Sequence, residues 1–302
     1  MKIKYVDKNF QDKSMDLILV ANNIIEQYTA QGFSLTLRQL YYQMVSRDLL
    51  PNSDKSYSRL GSILNDARLA GLVSWDAIED RTREVLRRTD WQSPDRIIRA
   101  VQSNYTLNLW EGQQYAPEVW VEKEALLDVI NRACQPLGVP RFACRGYSSA
   151  TAMWDAGQRF IESLECGQIP VIIHLGDHDP SGIDMTRDIT DRIALFVGEE
   201  VEVERIALNM NQVRQYNPPP NPAKMTDSRS GGYVEEFGRS SWELDALEPT
   251  VLVELIQRTI REFITDDDNW ESTVAREKEG RELLGKVSNR WGDIENFIKM
   301  EG

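Results

Sequence analysis

The 302-residue sequence predicts an α/β protein in two parts: an all-α domain over residues 1–110, and over 111–302 a domain with a central, mostly parallel sheet flanked by helices and prolonged by a helical C-terminal extension. Three observations predict it. Apolar residues recur at helical spacing through the first hundred positions. Short apolar runs alternate with helical segments from Pro117 onward. The most apolar run, Pro170-Val171-Ile172-Ile173-His174-Leu175, is nearly continuous, as in a strand covered on both faces.

In the N-terminal part, Met15, Leu17, Ile18, Val20, Ala21, Ile24 and Ile25 line one face of a helix from Ser14 to Tyr28, with its exit near Gly32. Ser34 or Thr36 caps a second helix, which carries Leu37, Leu40, Tyr41, Met44 and Val45 and ends before Pro51. A third runs from Tyr57 to Leu69 and stops at Gly71. Leu72 to Ile78 is short and partly extended, and the charged run Glu79 to Glu84 follows. Three short helices and an extended segment suit a winged-helix module and an ordinary helical bundle alike.

In the second part, strand Glu118–Val121 leads into helix Lys123–Cys134, strand Arg141–Arg145 into helix Ser149–Leu164, and strand Pro170–Leu175 into helix Ile183–Phe196. Val201 to Ala207 is a fourth strand. Crossovers of this kind are right-handed in nearly all proteins. Asn217 to Gly232 reads as loop, stiffened by Pro218, Pro219, Pro220 and Pro222, and helices at Pro249–Ile264 and Ser272–Asn289 close the chain.

The chain carries 35 Lys and Arg against 48 Asp and Glu, a net charge of −13. The excess is uneven: residues 1–110 hold 15 basic and 13 acidic residues, so nucleic acid is not excluded as a partner. No apolar run approaches the ~18–20 residues of a membrane span and the N-terminus lacks a signal-peptide stretch, so no membrane association is expected. Three cysteines without metal-ligand spacing argue against a disulfide framework, and a cytoplasmic protein, nucleoid-associated or phage-encoded, is the expectation. The phosphate-cradling Gly-rich loops and the Gly-x-Ser-x-Gly elbow are absent.

The sharpest local signal is Gly176-Asp177-His178-Asp179-Pro180-Ser181-Gly182, directly after the most apolar strand, where open parallel sheets gather their functional groups. Asp177 and Asp179 leave the strand pointing the same way, an arrangement that favours a divalent cation such as Mg²⁺. They also suit a helix cap, although a cap needs one acid rather than two. Glu122 ends the first apolar strand; if the first and third strands are neighbours, it faces that pair and completes a three-carboxylate metal site. By itself it also suits a helix N-terminus. His174 reads as a core residue, and His178 points away from its flanking aspartates.

Val121-Glu122-Lys123-Glu124-Ala125 together with Gly176 to Gly182 resembles the two signatures of a Toprim domain, in the form found in the A subunit of type IIB DNA topoisomerase (topoisomerase VI) and its meiotic double-strand-break relatives. Upstream, Thr36-Leu37-Arg38-Gln39-Leu40-Tyr41-Tyr42 resembles that family's winged-helix motif, and the similarity spans residues 30 to 210. The resemblance implies that Tyr42 attacks a DNA phosphodiester to leave a 5′-phosphotyrosyl link, that Glu122, Asp177 and Asp179 hold Mg²⁺, and that Arg38 touches the same phosphate. It implies catalytic roles for Tyr42, Arg38 and Glu122, with Tyr41 packing instead. It further implies a homodimer whose active site is shared between protomers, acting on double-stranded DNA. Gln39 stands where the family has an acid, the chain is shorter than a typical A subunit, and residues beyond 210 match no part of the pattern. Strand passage would need a separate ATPase subunit.

Arg59, Arg68, Arg81, Arg83, Arg87 and Arg88 form a candidate DNA track, and equally a solvated face, since acids are interleaved. Two rivals remain beside the topoisomerase-like transesterase: a Toprim nuclease that uses activated water, and a DNA-binding subunit without turnover.

Overall fold

The structure, a computed structural model, describes residues 2–78, 90–223 and 229–301. It is an α/β protein whose one extended sheet is four-stranded and parallel among the described residues.

Helices α1 (Asp12–Ala30), α2 (Leu37–Ser46) and α3 (Asp54–Leu69) pack around one apolar cluster. Helix α1 contributes Ile18, Ala21, Ile24, Ile25 and Tyr28, a stripe at helical spacing. Helix α2 is central: every residue from Gln39 to Val45 is buried. Its first turn is fixed by a capping box, in which the Thr36 hydroxyl accepts from Gln39 N–H and the Gln39 amide oxygen accepts from Thr36 N–H. Ser53 caps α3 three residues earlier than the apolar spacing alone marks. The segment after α3 is a single helical turn at Trp75–Ala77, and isolated bridges join Leu35 to Ile78 and Lys4 to Ala70. The part is helical, as expected; the charged run that follows it, with Arg81, Arg83, Arg87 and Arg88, lies outside the described residues.

Helix α4 (Pro94–Asn104), unforeseen from the sequence, then leads to strand β1 (Tyr115–Val121). After β1 come α5 (Leu127–Cys134), β2 (Arg141–Ala143), α6 (Ala150–Glu165), β3 (Ile169–Leu175), α7 (Pro180–Val197), β4 (Glu202–Ala207) and α8 (Met210–Tyr216). Strand β2 is shorter than expected because Arg145 turns to a φ of 54° and leaves the ladder. The order across the sheet is β2-β1-β3-β4. Trp120 and Ile172 face α6 and α7, while Val119, Val121, Ile173 and Leu175 face the opposite way, so both faces of the two central strands are dry.

The remaining chain runs back over the carboxyl edge of the sheet. Strands β5 (Asn221–Pro222) and β6 (Ser240–Ser241) pair antiparallel around α9 (Ser230–Phe237), and a turn at Leu244–Ala246 precedes α10 (Pro249–Glu262). Within the stretch expected to be loop, Asn221–Pro222 forms a short strand and Ser230 opens α9, while 217–220 is irregular as expected. Helix α11 (Asp267–Asn289) then packs along α4, and α12 (Trp291–Glu301) follows. No helix of the described residues is long and apolar enough to cross a membrane.

Candidate active site

Register assembles the site. Strands β1 and β3 pair along their whole length, with Val121 opposite Leu175, so the next residues, Glu122 and Gly176, leave the sheet side by side. Glu122 N–H donates to the Leu175 carbonyl at 2.9 Å, and the Asp177 N–H donates back to Glu122 Oε2 at 2.9 Å. The strand adjacency on which the carboxylate cluster depended is present.

The turn between β3 and α7 is tightly built. Asp179 caps α7, its Oδ1 accepting from Gly182 N–H at 2.6 Å and from the Ser181 hydroxyl at 2.9 Å. Pro180 opens the helix, where its missing N–H costs nothing. A Cβ on Gly182 would lie 2.2 Å from the Asp177 carbonyl oxygen, so the last residue of the motif has room for no side chain. Arg205 of β4 buries its guanidinium beneath this turn and donates to the carbonyls of Gly176, Asp177 and Gly182. Burial pulls the Arg205 pKa down to about 10.

The histidines are structural in placement. His174 is fully buried, with Nδ1 3.0 Å from the Thr186 hydroxyl and no partner on Nε2 among the described residues. His178 turns away from the aspartates into Tyr233, Phe237 and Trp242, and its backbone pairs with that of Trp242. Burial lowers the pKa of both rings, to about 3 for His174 and about 4 for His178, so each is neutral near pH 7.

Pairing with Trp242 delivers two further acids, Glu243 and Asp245. Lys123 Nζ lies 2.8 Å from Asp177 Oδ2, 3.3 Å from Asp245 Oδ1, and in contact with Glu243 Oε2. Leu244 N–H donates to the other Asp177 oxygen at 2.8 Å. Arg38 reaches the same two acids from α2, at 2.6 Å to Glu243 and 3.2 Å to Asp245. Burial opposes the charge on Lys123, but Asp245, Asp177 and Glu243 together push its pKa well above the ordinary lysine value. Burial moves Asp177 up to about 8, against the pull of Lys123, and it also raises Glu122.

Tyr42 lies one turn after Arg38, whose guanidinium carbon is 5.7 Å from the Tyr42 ring centre. The phenol is 5% exposed, and its hydroxyl meets Asn221 Nδ2 at 3.5 Å. Burial and then the Glu243 charge push the Tyr42 pKa up to about 12. Tyr41 points elsewhere: its hydroxyl accepts from Ser53 N–H at 2.7 Å and lies within hydrogen-bond reach of the Pro51 and Ser53 carbonyls. A cavity of about 580 Å³ is lined by Arg38, Tyr42, Asp177, Asp179, Asn221 and Glu243 among others. One chain therefore brings the tyrosine, the arginine and both aspartates of the motif to a common space, and Glu122 borders the adjoining hollow beyond Arg38.

The candidate DNA-track residues fare differently. Arg59 is exposed on α3. Arg68 instead donates to the Trp75 and Ile78 carbonyls and stacks on Trp75, 4.8 Å from the ring centre. That engagement ties the segment after α3 to the helix.

The donor set fits Mg²⁺ in kind, since it consists of hard carboxylate oxygens. The oxygens are not equally free. Both Asp177 oxygens are engaged by Lys123 and Leu244, whereas Glu122 Oε1 and Asp179 Oδ2 carry no protein hydrogen bond among the described residues. No three His, Cys, Asp or Glu side chains of the described residues stand together as a metal cage. Mg²⁺ commonly takes one or two carboxylates and completes its shell with water and phosphate, so Glu122 and Asp179 are the pair suited to it.

Sequence reading assigned no role to Lys123, Asn221, Glu243, Asp245 or Arg205. The available signals were slight: a lysine beside Glu122, alternate acids in Trp242-Glu243-Leu244-Asp245, and an arginine in a half-buried strand. No protein-family model matches the chain, and a search of characterised proteins finds no match to its sequence.

Proposed function

We propose that this protein cleaves double-stranded DNA by transesterification, with Tyr42 as the nucleophile. The observation that carries the reading is the common cavity: Tyr42 and Arg38 from one helix meet Asp177 and Asp179 from a sheet edge far along the chain. In the reaction the Tyr42 oxygen bonds to phosphorus, the phenol proton passes to water in the cavity, and the P–O3′ bond breaks. The leaving oxygen takes up a proton, giving a 3′-hydroxyl and a 5′-phosphotyrosyl link. A tyrosine with its pKa raised is a poor nucleophile until positive charge approaches it. Arg38, with its side chain about half exposed, is placed to supply such charge to the phosphate. Mg²⁺ on Glu122 and Asp179, when bound, supplies further charge for the phosphate oxygens. Because each chain carries these groups, a homodimer would serve to cut the two strands, and any strand passage would call on a separate ATPase subunit.

Tyr42's burial favours a second reading. A phenol 5% exposed is hard for a phosphodiester to reach, and a Toprim-type nuclease using water would leave it structural. Incubation with supercoiled DNA and Mg²⁺, followed by denaturation, separates the two. The tyrosine reading expects protein attached to 5′ ends, lost entirely in Tyr42→Phe. Clean 5′-phosphates with Tyr42→Phe still active would establish the nuclease. No cleavage by the wild type with any metal would leave a DNA-binding subunit.

A further inference from the structure

We propose that residues 217–222 form a strap that gates the cavity beside Tyr42, held shut by a clasp between Asn52 and the strap. Its purpose rests on the cleavage reading. A cavity of about 580 Å³ is the size of a small-molecule pocket, and it has no room for a duplex whose major groove alone is ~12 Å wide. A wall must give before a phosphodiester can meet a phenol that is 5% exposed. The walls differ in how firmly they are held. Helix α2 is buried from Gln39 to Val45. The Asp177–Asp179 turn is braced by Arg205 and by the cap of α7. Trp242 and Glu243 are tied down by the His178 backbone, Arg38 and Lys123. The strap is held more lightly. It pairs with β6 over two residue pairs, and Pro222 has no N–H to donate there. The Ser241 hydroxyl donates to the Asn221 carbonyl at 3.4 Å.

The clasp joins the strap to the connection between α2 and α3. Asn52 Nδ2 donates to the Pro220 carbonyl at 3.0 Å and to Asn221 Oδ1 at 2.5 Å. Asn52 is exposed, so water competes for both bonds and opening them costs little. While closed, the clasp turns Asn221 Oδ1 toward Asn52 and leaves Nδ2 facing Tyr42, 3.5 Å from the hydroxyl. Pro218, Pro219, Pro220 and Pro222 fix φ along the strap, so it lifts as one stiff piece and carries Asn221 away from Tyr42. Tyr41 also gains a part, since its hydroxyl lies 3.3 Å from Asn52 Oδ1. The tyrosine that packs anchors the clasp that covers its neighbour.

Nitration by tetranitromethane, located by tandem mass spectrometry so that Tyr42 is told apart from Tyr41, tests this without DNA. Asn52→Ala opens the clasp at an exposed position, where a substitution leaves the fold intact, and Tyr42 should then be nitrated several-fold faster than in the wild type. Asn52→Cys/Pro220→Cys, made with Cys166→Ser and closed by a short bis-thiol reagent, should be nitrated at Tyr42 several-fold more slowly than its own unbridged form. The bridged protein should also cut DNA more slowly than the unbridged one. Unchanged Tyr42 nitration in a folded Asn52→Ala overturns the proposal. So does a bridged protein whose Tyr42 is nitrated as fast as that of its unbridged form, and this comparison decides alone should Asn52→Ala not fold. If the wild type cuts no DNA, the cleavage reading falls and the nitration rates still decide whether the strap opens.

Discussion

Helices α2 and α4 are of similar length and both precede the sheet, but they are held in opposite ways. Helix α2 has a continuous buried stretch, Gln39 to Val45, enclosed by α1, α3 and the Leu244–Ala246 turn. Helix α4 has no buried residue. It is fixed to α11 by polar contacts and close approach. Arg99 Nε donates to the Ser288 hydroxyl at 3.0 Å, and Arg281 Nε donates to the Tyr105 carbonyl at 2.8 Å. A Cβ at Gly280 would fall 2.4 Å from the Tyr105 ring, so the glycine lets the two segments touch. The difference teaches where precision is needed. The side chains of the candidate site hang from elements immobilised by burial, while the α4–α11 arm has the low burial expected of a unit that opens locally.

The comparison breaks first at the core of the sheet. Trp120, fully buried between Phe142 and Phe160, should cost about 3–5 kcal/mol on replacement by alanine, read from the midpoint of urea unfolding. Gly182→Ala should follow at about 1–3 kcal/mol, because the added methyl meets the Asp177 backbone and something must shift. Loss of DNA cleavage beyond what that destabilisation explains would show that the turn itself had moved. A third test uses acidity. The folded pKa of Asp177, about 8, lies above the unfolded ~3.9, so its contribution is fully present below the unfolded value and is lost as pH rises through about 8. Wild-type stability should therefore fall between about pH 4 and about pH 8 more steeply than that of Asp177→Asn. The smallest effect belongs to the arm. Gly280→Leu should expose α4 to limited proteolysis while leaving the global unfolding midpoint within about 0.5 kcal/mol of wild type. A large global loss would show that the arm and the sheet unfold as one.

Much of the sheet was legible because burial on both faces requires unbroken apolar runs, and β1 and β3 carry them. Their adjacency could only be supposed, yet it alone brings Glu122 to Asp177. Tyr41 and Tyr42 show the limit of a helical pattern: both are buried, and what sets their hydroxyls apart is their partners, Ser53 for one and Asn221 for the other, which helical spacing does not reveal. Helix α4 carries only a short apolar stripe, Ile97, Ile98 and Val101, and leaves it partly exposed, so its signal was weaker than that of the buried helices. Glu243 and Asp245 were illegible for another reason. Their place is set by the His178–Trp242 bridge, a pairing between distant residues with no local signature.

That bridge has a consequence for how the protein is born. Arg38 and Lys123 emerge from the ribosome long before Glu243 and Asp245, their partners in the finished molecule. A nascent chain that has already folded its first helices and strands still has Arg38 without its counter-charges and Lys123 with Asp177 alone of its three. The remaining carboxylates arrive only when the last third of the chain is synthesised, so the candidate site is among the last parts of the molecule to be completed.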